Sequence, residues 1–216
     1  MAANPLILSP DKASIFRITH IDNIPWILRY GLHCRNAKRI DPNFINIGNV
    51  ELIKKRATRE ITTQPGGTLA DYIPFYFTPY SPMFYNIHTG YNGIKRVSNS
   101  EIIFIVSSLK LLHKNNRSFL FTDRHASLKT ACFFSSLSDL DKIDWDILRS
   151  RDFRRDPDDP DKMARYEAEA LVHRHLPIQD VAGIVCYSEN EVRTIEGACK
   201  AAGVEINVVA RPGWYF

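Results

Sequence analysis

One acid-bearing strand constrains this chain more than any other stretch. Arg165-Tyr-Glu-Ala-Glu-Ala-Leu-Val-His173 is followed by Arg-His-Leu-Pro177 and then Val181-Ala-Gly-Ile-Val-Cys-Tyr-Ser188, a pattern of two short strands separated by Pro177. Alternation places Glu167, Glu169, Leu171 and His173 on one face and Ala168, Ala170 and Val172 on the other. Desolvating an unpaired carboxylate is expensive, so Glu169 on an increasingly apolar strand needs a partner or a task. The plain alternative is an edge strand in water, with a surface salt bridge from Glu169 to Arg165 or Arg174.

The rest of the composition narrows the class. The 216 residues suffice for one large domain or two small ones, and 44% hydrophobic with 24% charged residues is ordinary for a soluble globular protein. No apolar run approaches the roughly 20 residues that span a bilayer. The first ten residues lack a basic region followed by a long apolar core, so no signal peptide is expected; the expected compartment is the cytoplasm, with no membrane partner. Cys34, Cys132, Cys186 and Cys199 stand far apart, without the paired spacing of a zinc site or redox dithiol. A net charge of +4 permits a nucleic-acid partner without requiring one.

Taken in order, residues 1–13 are a Pro-bearing lead-in, and residues 15–21 alternate as a strand with Arg17 and Thr19 beside Ile15 and Ile21. Asp22 or Asn23 is placed to cap a helix carrying Ile24, Ile27 and Leu28, which Gly31 ends. A guanidinium on that strand face meets an anion or lies in a sheet-edge salt bridge. From Cys34 to Gly67 periodicity fades into an irregular loop and a short basic helix over residues 51–60. Lys54, Lys55, Arg56 and Arg59 there form either a solvated helix face or an anion site. Residues 71–85, dense in aromatic rings and broken by Pro74, Pro79 and Pro82, predict a short strand over 73–78 entering a rigid loop. Such rings form core, or a stacking wall for a base. Further strands are expected at 101–107, 118–122 and 204–209, and helices at 131–140, 144–149 and 192–202. Asp123, Arg124 and His125 sit at a strand end, where sites are commonly built.

No Gly-rich phosphate cradle, Gly-x-Ser-x-Gly elbow or His-Glu-x-x-His pair is present. What remains is a strand-borne acid, arginines on a strand and a loop, and an aromatic segment.

That set resembles the DarT family of DNA ADP-ribosyltransferase toxins over nearly the whole chain. The matching pieces are Ile15 to Asn23 with Ile27-Leu28 and Gly31-Leu32, the Lys55-Arg56 pair, Gly66 to Phe77 with Ser81-Pro-Met83, Phe121 to His125, Ala168 to Leu171, and Gly213-Trp-Tyr215. The resemblance implies an α+β fold: a single ADP-ribosyltransferase domain over 1–216, with a split, mostly antiparallel sheet, peripheral helices and a substrate-binding loop at 35–65. It implies NAD+ as co-substrate without a metal, and transfer of ADP-ribose to a base in single-stranded DNA, thymine ahead of guanine. It further implies a toxin reversed by a macrodomain antitoxin of the DarG type. Carried onto these residues, it makes Glu169, Arg56 and His125 catalytic. It gives Arg17, Ile18, Thr19, Asn23, Gly31, Leu32, Arg56 and Tyr76 to NAD+, and Lys54, Lys55, Arg59, Lys95, Arg96 and Arg154 to DNA. In this scheme Glu169 stabilises the positive charge that develops on the ribose as the nicotinamide bond breaks, and Arg56, steadied by His125, orients the base and assists loss of its proton as the ring nitrogen attacks the anomeric carbon. A transferase acting on protein, or a non-catalytic single-strand-binding module, is the alternative.

Overall fold

A computed structural model describes residues 6–216; part of the lead-in expected at 1–13 lies outside the described residues. The chain forms β1 (Ser14–His20), α1 (Ile24–Tyr30) and β2 (Leu32–His33), then α2 (Val50–Ala57), β3 (Glu60–Ile61), β4 (Gly67–Thr68) and β5 (Tyr72–Tyr76). There follow α3 (Pro82–Thr89), β6 (Ile102–Ser108), α4 (Leu109–Lys114), β7 (Phe119–Thr122), β8 (Phe133–Phe134), α5 (Trp145–Ser150) and α6 (Lys162–Tyr166). The chain closes with β9 (Glu169–His173), β10 (His175–Leu176), β11 (Gly183–Cys186), α7 (Glu189–Ala202) and β12 (Val208–Ala210). Eight strands make one sheet in the order β12-β11-β6-β1-β5-β9-β7-β8, antiparallel except where β11 meets β12.

The sheet is split between β1 and β5. β1 pairs with β6 along its whole length, from Ser14 opposite Ser108 to His20 opposite Ile102. With β5 it shares a single position, Phe16 opposite Tyr76. Beyond that point the half-sheets part, and Pro74 shows why the chain tolerates it: a proline has no N–H to offer the missing neighbour. The Pro74 carbonyl, left without a ladder partner, instead accepts a hydrogen bond from Arg17 Nη1 at 2.8 Å. In the second half-sheet the strand period sorts side chains between two clusters. Ile73, Phe75, Phe119, Phe121, Ala170 and Val172 enter the main core. Tyr72, Leu120 and Leu171 face a smaller cluster with Ile61, Leu69 and Ala126. The face assignment predicted for Leu171 and its alternating neighbours therefore holds within β9.

Several local expectations are corrected. The strand does not begin at Arg165: residues 162–166 are helical and β9 starts at Glu169. Arg165 is tied to Asp159 and Asp144, and the buried Tyr166 donates to the Tyr80 carbonyl at 3.0 Å, which together hold that turn against the core. In place of a helix over 131–140, Phe133 and Phe134 extend the sheet by pairing with β7, where Phe134 stacks on Phe121, and a 3-10 helix follows at Leu137–Lys142. The prolines after β5 do not exclude helix. Pro82 begins α3 in the first turn, where its missing N–H is harmless, and the Ser81 side chain accepts from the Phe84 N–H. Neither Asp22 nor Asn23 caps α1 with its side chain. The final strand is shorter, Val208–Ala210.

Gly31 ends α1 at φ +76°, and a Cβ there would clash with the Leu176 carbonyl oxygen. Leu32 beside it is buried and pairs with Leu176. In this structure both residues close the junction of α1 with β2 and β10. Among the described residues no helix is long and apolar enough to cross a membrane. Gly31→Ala combines a left-handed backbone with a backbone clash and is expected to cost about 2–4 kcal/mol, read from urea unfolding. A loss under about 0.5 kcal/mol would contradict that packing.

Candidate active site

Glu169 is the first residue of β9, and its own N–H donates to Thr122 Oγ1 at the end of β7 (3.1 Å). The side chain is sealed, with the residue only 1% exposed. Arg56 reaches it from the last turn of α2, a helix whose start is set by Asn49 accepting from the Leu52 N–H. The two pair bidentately, Nη1 to Oε1 at 2.9 Å and Nη2 to Oε2 at 2.8 Å. The Ala126 N–H adds a third donor to Oε1 at 2.9 Å. His125 Nδ1 stands 3.7 Å from the same oxygen. Glu169 is therefore no surface acid, and neither Arg165 nor Arg174 is its partner.

Burial by itself would raise the Glu169 pKa, but Arg56, His125 and the Ala126 N–H outweigh it and hold the carboxyl below its ordinary value. Burial likewise opposes the charge on Arg56, and Glu169 more than restores it, so the guanidinium titrates above its usual value. His125 is pushed down, chiefly by burial, against the pull of Glu169. Its Nδ1 accepts the Ser127 N–H at 3.2 Å, which puts the ring proton on Nε2.

Arg17 lies where the sheet splits. Burial, then repulsion from Arg56, lowers it to about 10. Its Nη1 is spent on Pro74, while its buried Nε has no hydrogen-bond partner among the described residues. An orphaned buried donor suits an acceptor brought by a polar ligand such as an amide or a diphosphate. Tyr76 stands opposite both Phe16 and Glu169, so its ring is on the same level of the split as the ion pair. Ile18 and Thr19 are buried on β1. Asn23 is buried and fully engaged: its amide donates to Thr19 Oγ1 and the Ile45 carbonyl (both 2.9 Å) and accepts from the Ile45 N–H (2.8 Å). It thereby pins the 41–48 segment against β1.

The basic residues assigned to DNA divide three ways. Lys54 and Lys55 are exposed on α2, Lys54 pairing with Glu51 at 3.2 Å, and Arg59 donates to the Leu128 carbonyl at 3.3 Å. Lys95 and Arg96 line, with residues 45–51 and His20, a cavity of about 430 Å³. Arg154 is exposed and engages Asp152 through both Nε and Nη2. A second cleft, of about 750 Å³, opens beside His125 and is lined by Leu52, Ser127, Leu128, Arg155, Met163 and Glu167 among others. Sequence reasoning missed this cleft and the Ala126 N–H, since a backbone donor leaves no residue signature. Among the described residues no group of three or more His, Cys, Asp or Glu is placed to hold a metal ion.

Removing Arg56 leaves the Glu169 charge buried alone, so Arg56→Ala is expected to lose about 3–5 kcal/mol at neutral pH in urea unfolding. A loss below about 1 kcal/mol would show the pair to be solvated. Because the folded pKa of Glu169 is depressed, its contribution is complete above the ordinary value of 4.5 and is lost as pH falls through the folded value. Glu169→Gln is expected to flatten that acid limb.

Residues 16–216 match the family model described as "DarT: ssDNA thymidine ADP-ribosyltransferase, DarT". A DNA ADP-ribosyl transferase of Escherichia coli O127:H6 (strain E2348/69 / EPEC) is 52% identical over 209 residues, covering 97% of this chain and 96% of that protein. The solved structure of Thermus sp. 2.9 DarT in complex with ADP-ribosylated ssDNA superposes with a TM-score of 0.89 at 31% identity, over 97% of this chain and 99% of that one. The same Thermus protein in complex with NAD+ gives a TM-score of 0.82 at 32% identity, over 96% and 99% of the two chains. The match spans β1 to the C-terminal residue and includes the split sheet with its buried acid, and the chain belongs to the DarT family of single-stranded DNA ADP-ribosyltransferases.

Proposed function

We propose that this chain transfers ADP-ribose from NAD+ to thymine in single-stranded DNA, releasing nicotinamide, and that it acts as a toxin whose modification a macrodomain antitoxin removes. The observation that carries the reading is the buried Glu169 carboxylate, held anionic by Arg56 at the mouth of the split sheet. A fixed negative charge in a dry site stabilises the positive charge that develops on a ribose as its bond to nicotinamide breaks, and it needs no reorganisation to do so. Glu169 is assigned that task and accepts the ribose 2′-OH. Arg56 holds Glu169 ionised, orients the incoming base and assists loss of its proton, with His125 beside them. Arg17, through its free Nε, Ile18, Thr19 and Tyr76 form the NAD+ side of the split; Asn23 supports it by fixing the 41–48 segment, and Gly31 and Leu32 by setting the end of α1.

Residues 35–65 are assigned to DNA. This stretch exposes Ile40, Phe44, Ile45 and Val50 beside Lys54 and Lys55, the mixture of apolar contact and positive charge on which splayed bases and phosphates bind. Arg59, Lys95 and Arg96 extend the same positive flank, and Arg154 joins it by exchanging Asp152 for a phosphate. The Thermus relative's complexes with NAD+ and with ADP-ribosylated ssDNA support both halves of the reading. A module that only bound DNA would gain nothing from an ion pair sealed in its sheet. A protein-directed transferase would not need the apolar and basic loop.

The test is incubation with NAD+ and single-stranded oligonucleotides of varied base content, followed by intact-mass analysis. One ADP-ribose is expected on thymine-containing strands only, and Glu169→Ala is expected to slow its addition by about 10²–10³-fold or more. Adducts on protein alone, or DNA adducts undiminished in the variant, would overturn the proposal.

A further inference from the structure

A second group of cations stands apart from the site described above. Residues 109–119 read Leu-Lys-Leu-Leu-His-Lys-Asn-Asn-Arg-Ser-Phe and contain no acid. Leu109 and Leu112 of α4 are buried in the core, while Lys110, His113 and Lys114, at i, i+3 and i+4, share an exposed side of the same helix. Asn116, at φ +54°, then turns the chain so that the Arg117 N–H returns to the Leu112 carbonyl at 2.9 Å, which sets Arg117 beside the end of α4. Lys54 and Arg154 are paired with Glu51 and Asp152, whereas neither Lys110 nor Lys114 has a salt-bridge partner among the described residues.

Arg117 is held in place from beneath. Asp180, only 1% exposed, ends a 3-10 turn at Ile178–Asp180, and its carboxylate accepts from Arg117 Nε and, at 2.6 Å, from Asn115 Nδ2. Because Nε alone makes that pair, Nη1 and Nη2 keep their hydrogens for another acceptor, on a side chain that is 39% exposed. A merely solvated basic face has no use for a buried acid that orients its arginine. A phosphate site does, since the arginine is then ordered before the ligand arrives. Beside Arg117 lies a cavity of about 340 Å³, lined by Gln64, Pro65, His113, Ser118 and Ser135 among others. Its amide and hydroxyls supply donors and acceptors, and Pro65 supplies an apolar wall. β7 ties this cavity to the reaction centre: Phe119 at its start lines the cavity, and Thr122 at its end accepts from the Glu169 N–H. Three residues of strand separate the two, about 10 Å.

Resting on the function proposed above, we propose that α4, Arg117 and this cavity form an auxiliary site for the flank of the same single DNA strand, apart from the loop at residues 35–65. Phosphates of the flank lie on Arg117, Lys114 and Lys110, and one unstacked nucleotide enters the cavity against Pro65. At about 3.4 Å or more per nucleotide along a strand, the flank reaches this site a few nucleotides from a target base held at Glu169. Phosphate contacts position a strand without reading it, so the site adds a preference for length and none for sequence. Binding at either site raises the effective concentration of the strand at the other.

The experiment measures, by fluorescence anisotropy at rising salt, the binding of single strands of about 5 and about 20 nucleotides, each with one thymine, to the wild type and to Lys110→Glu/Lys114→Glu. The wild type is expected to hold the long strand about tenfold or more tightly than the short one. The double variant is expected to lose most of that advantage, and its log–log salt slope for the long strand is expected to fall by about 1.4, or about 0.7 for each phosphate contact removed. Short-strand binding is expected to be the same in both proteins. A variant that keeps the wild-type advantage and slope overturns the assignment, as does one that loses short-strand and long-strand binding equally. Should the double variant not fold, Lys110→Gln at its exposed position is expected to lower the slope by about half as much, and an unchanged slope overturns the site equally. Adduct formation on the short strand with NAD+ is read in parallel: its absence overturns the proposed function, while the length comparison still decides the auxiliary site.

Discussion

Placing a carboxylate inside a sheet demands a cation inside the protein with it, and much of this structure answers that demand. Arg56 meets Glu169 from 113 residues away in sequence, with Nη1 and Nη2 matched to the two carboxylate oxygens. Neither charge is tolerable there alone; together, with the Ala126 N–H, they form a neutral and nearly saturated unit. α2 must therefore dock over the second half-sheet, which makes Arg56 a part of the fold. The hydroxyl of Thr122 accepts from the Glu169 N–H, so the acid's backbone is held as firmly as its side chain.

The second constraint is the split itself. A continuous ladder between β1 and β5 would leave no room for a ligand, and the sheet avoids one with a single shared position followed by Pro74. Arg17 then spans the gap with one nitrogen and leaves another buried and unsatisfied. Structures rarely leave a buried donor unpaired, and this one lies near enough to Arg56 to be repelled by its charge. Asn23 completes the frame by bonding both the N–H and the carbonyl of Ile45, so the loop over the split is held by a side chain acting as a short strand would.

The parts legible in the sequence were those with a strong period or a strong conflict. β6 was clear from its unbroken apolar run, and Glu169 from the conflict between its charge and its strand. The basic helix carrying Arg56 was legible as a helix, whereas its docking was not, because a contact between residues 56 and 169 leaves no local pattern. The strand was read from Arg165 onward since Ala168, Ala170 and Val172 keep a two-residue period, and the ion pairs of Arg165 that hold α6 are tertiary. The helix expected near 131–140 gave way to β8 because the open edge of β7 offers hydrogen bonds that Phe133 and Phe134 take up.

The measurement that bears most directly on the account is a crystal structure of this protein with a non-hydrolysable NAD+ analogue. The account predicts the nicotinamide ribose in the split, its 2′-OH about 2.7 Å from a Glu169 oxygen and a ligand acceptor about 2.9 Å from Arg17 Nε. An analogue bound elsewhere, as in the cavity beside His20 and Lys95, with the Arg56–Glu169 pair untouched, would contradict it.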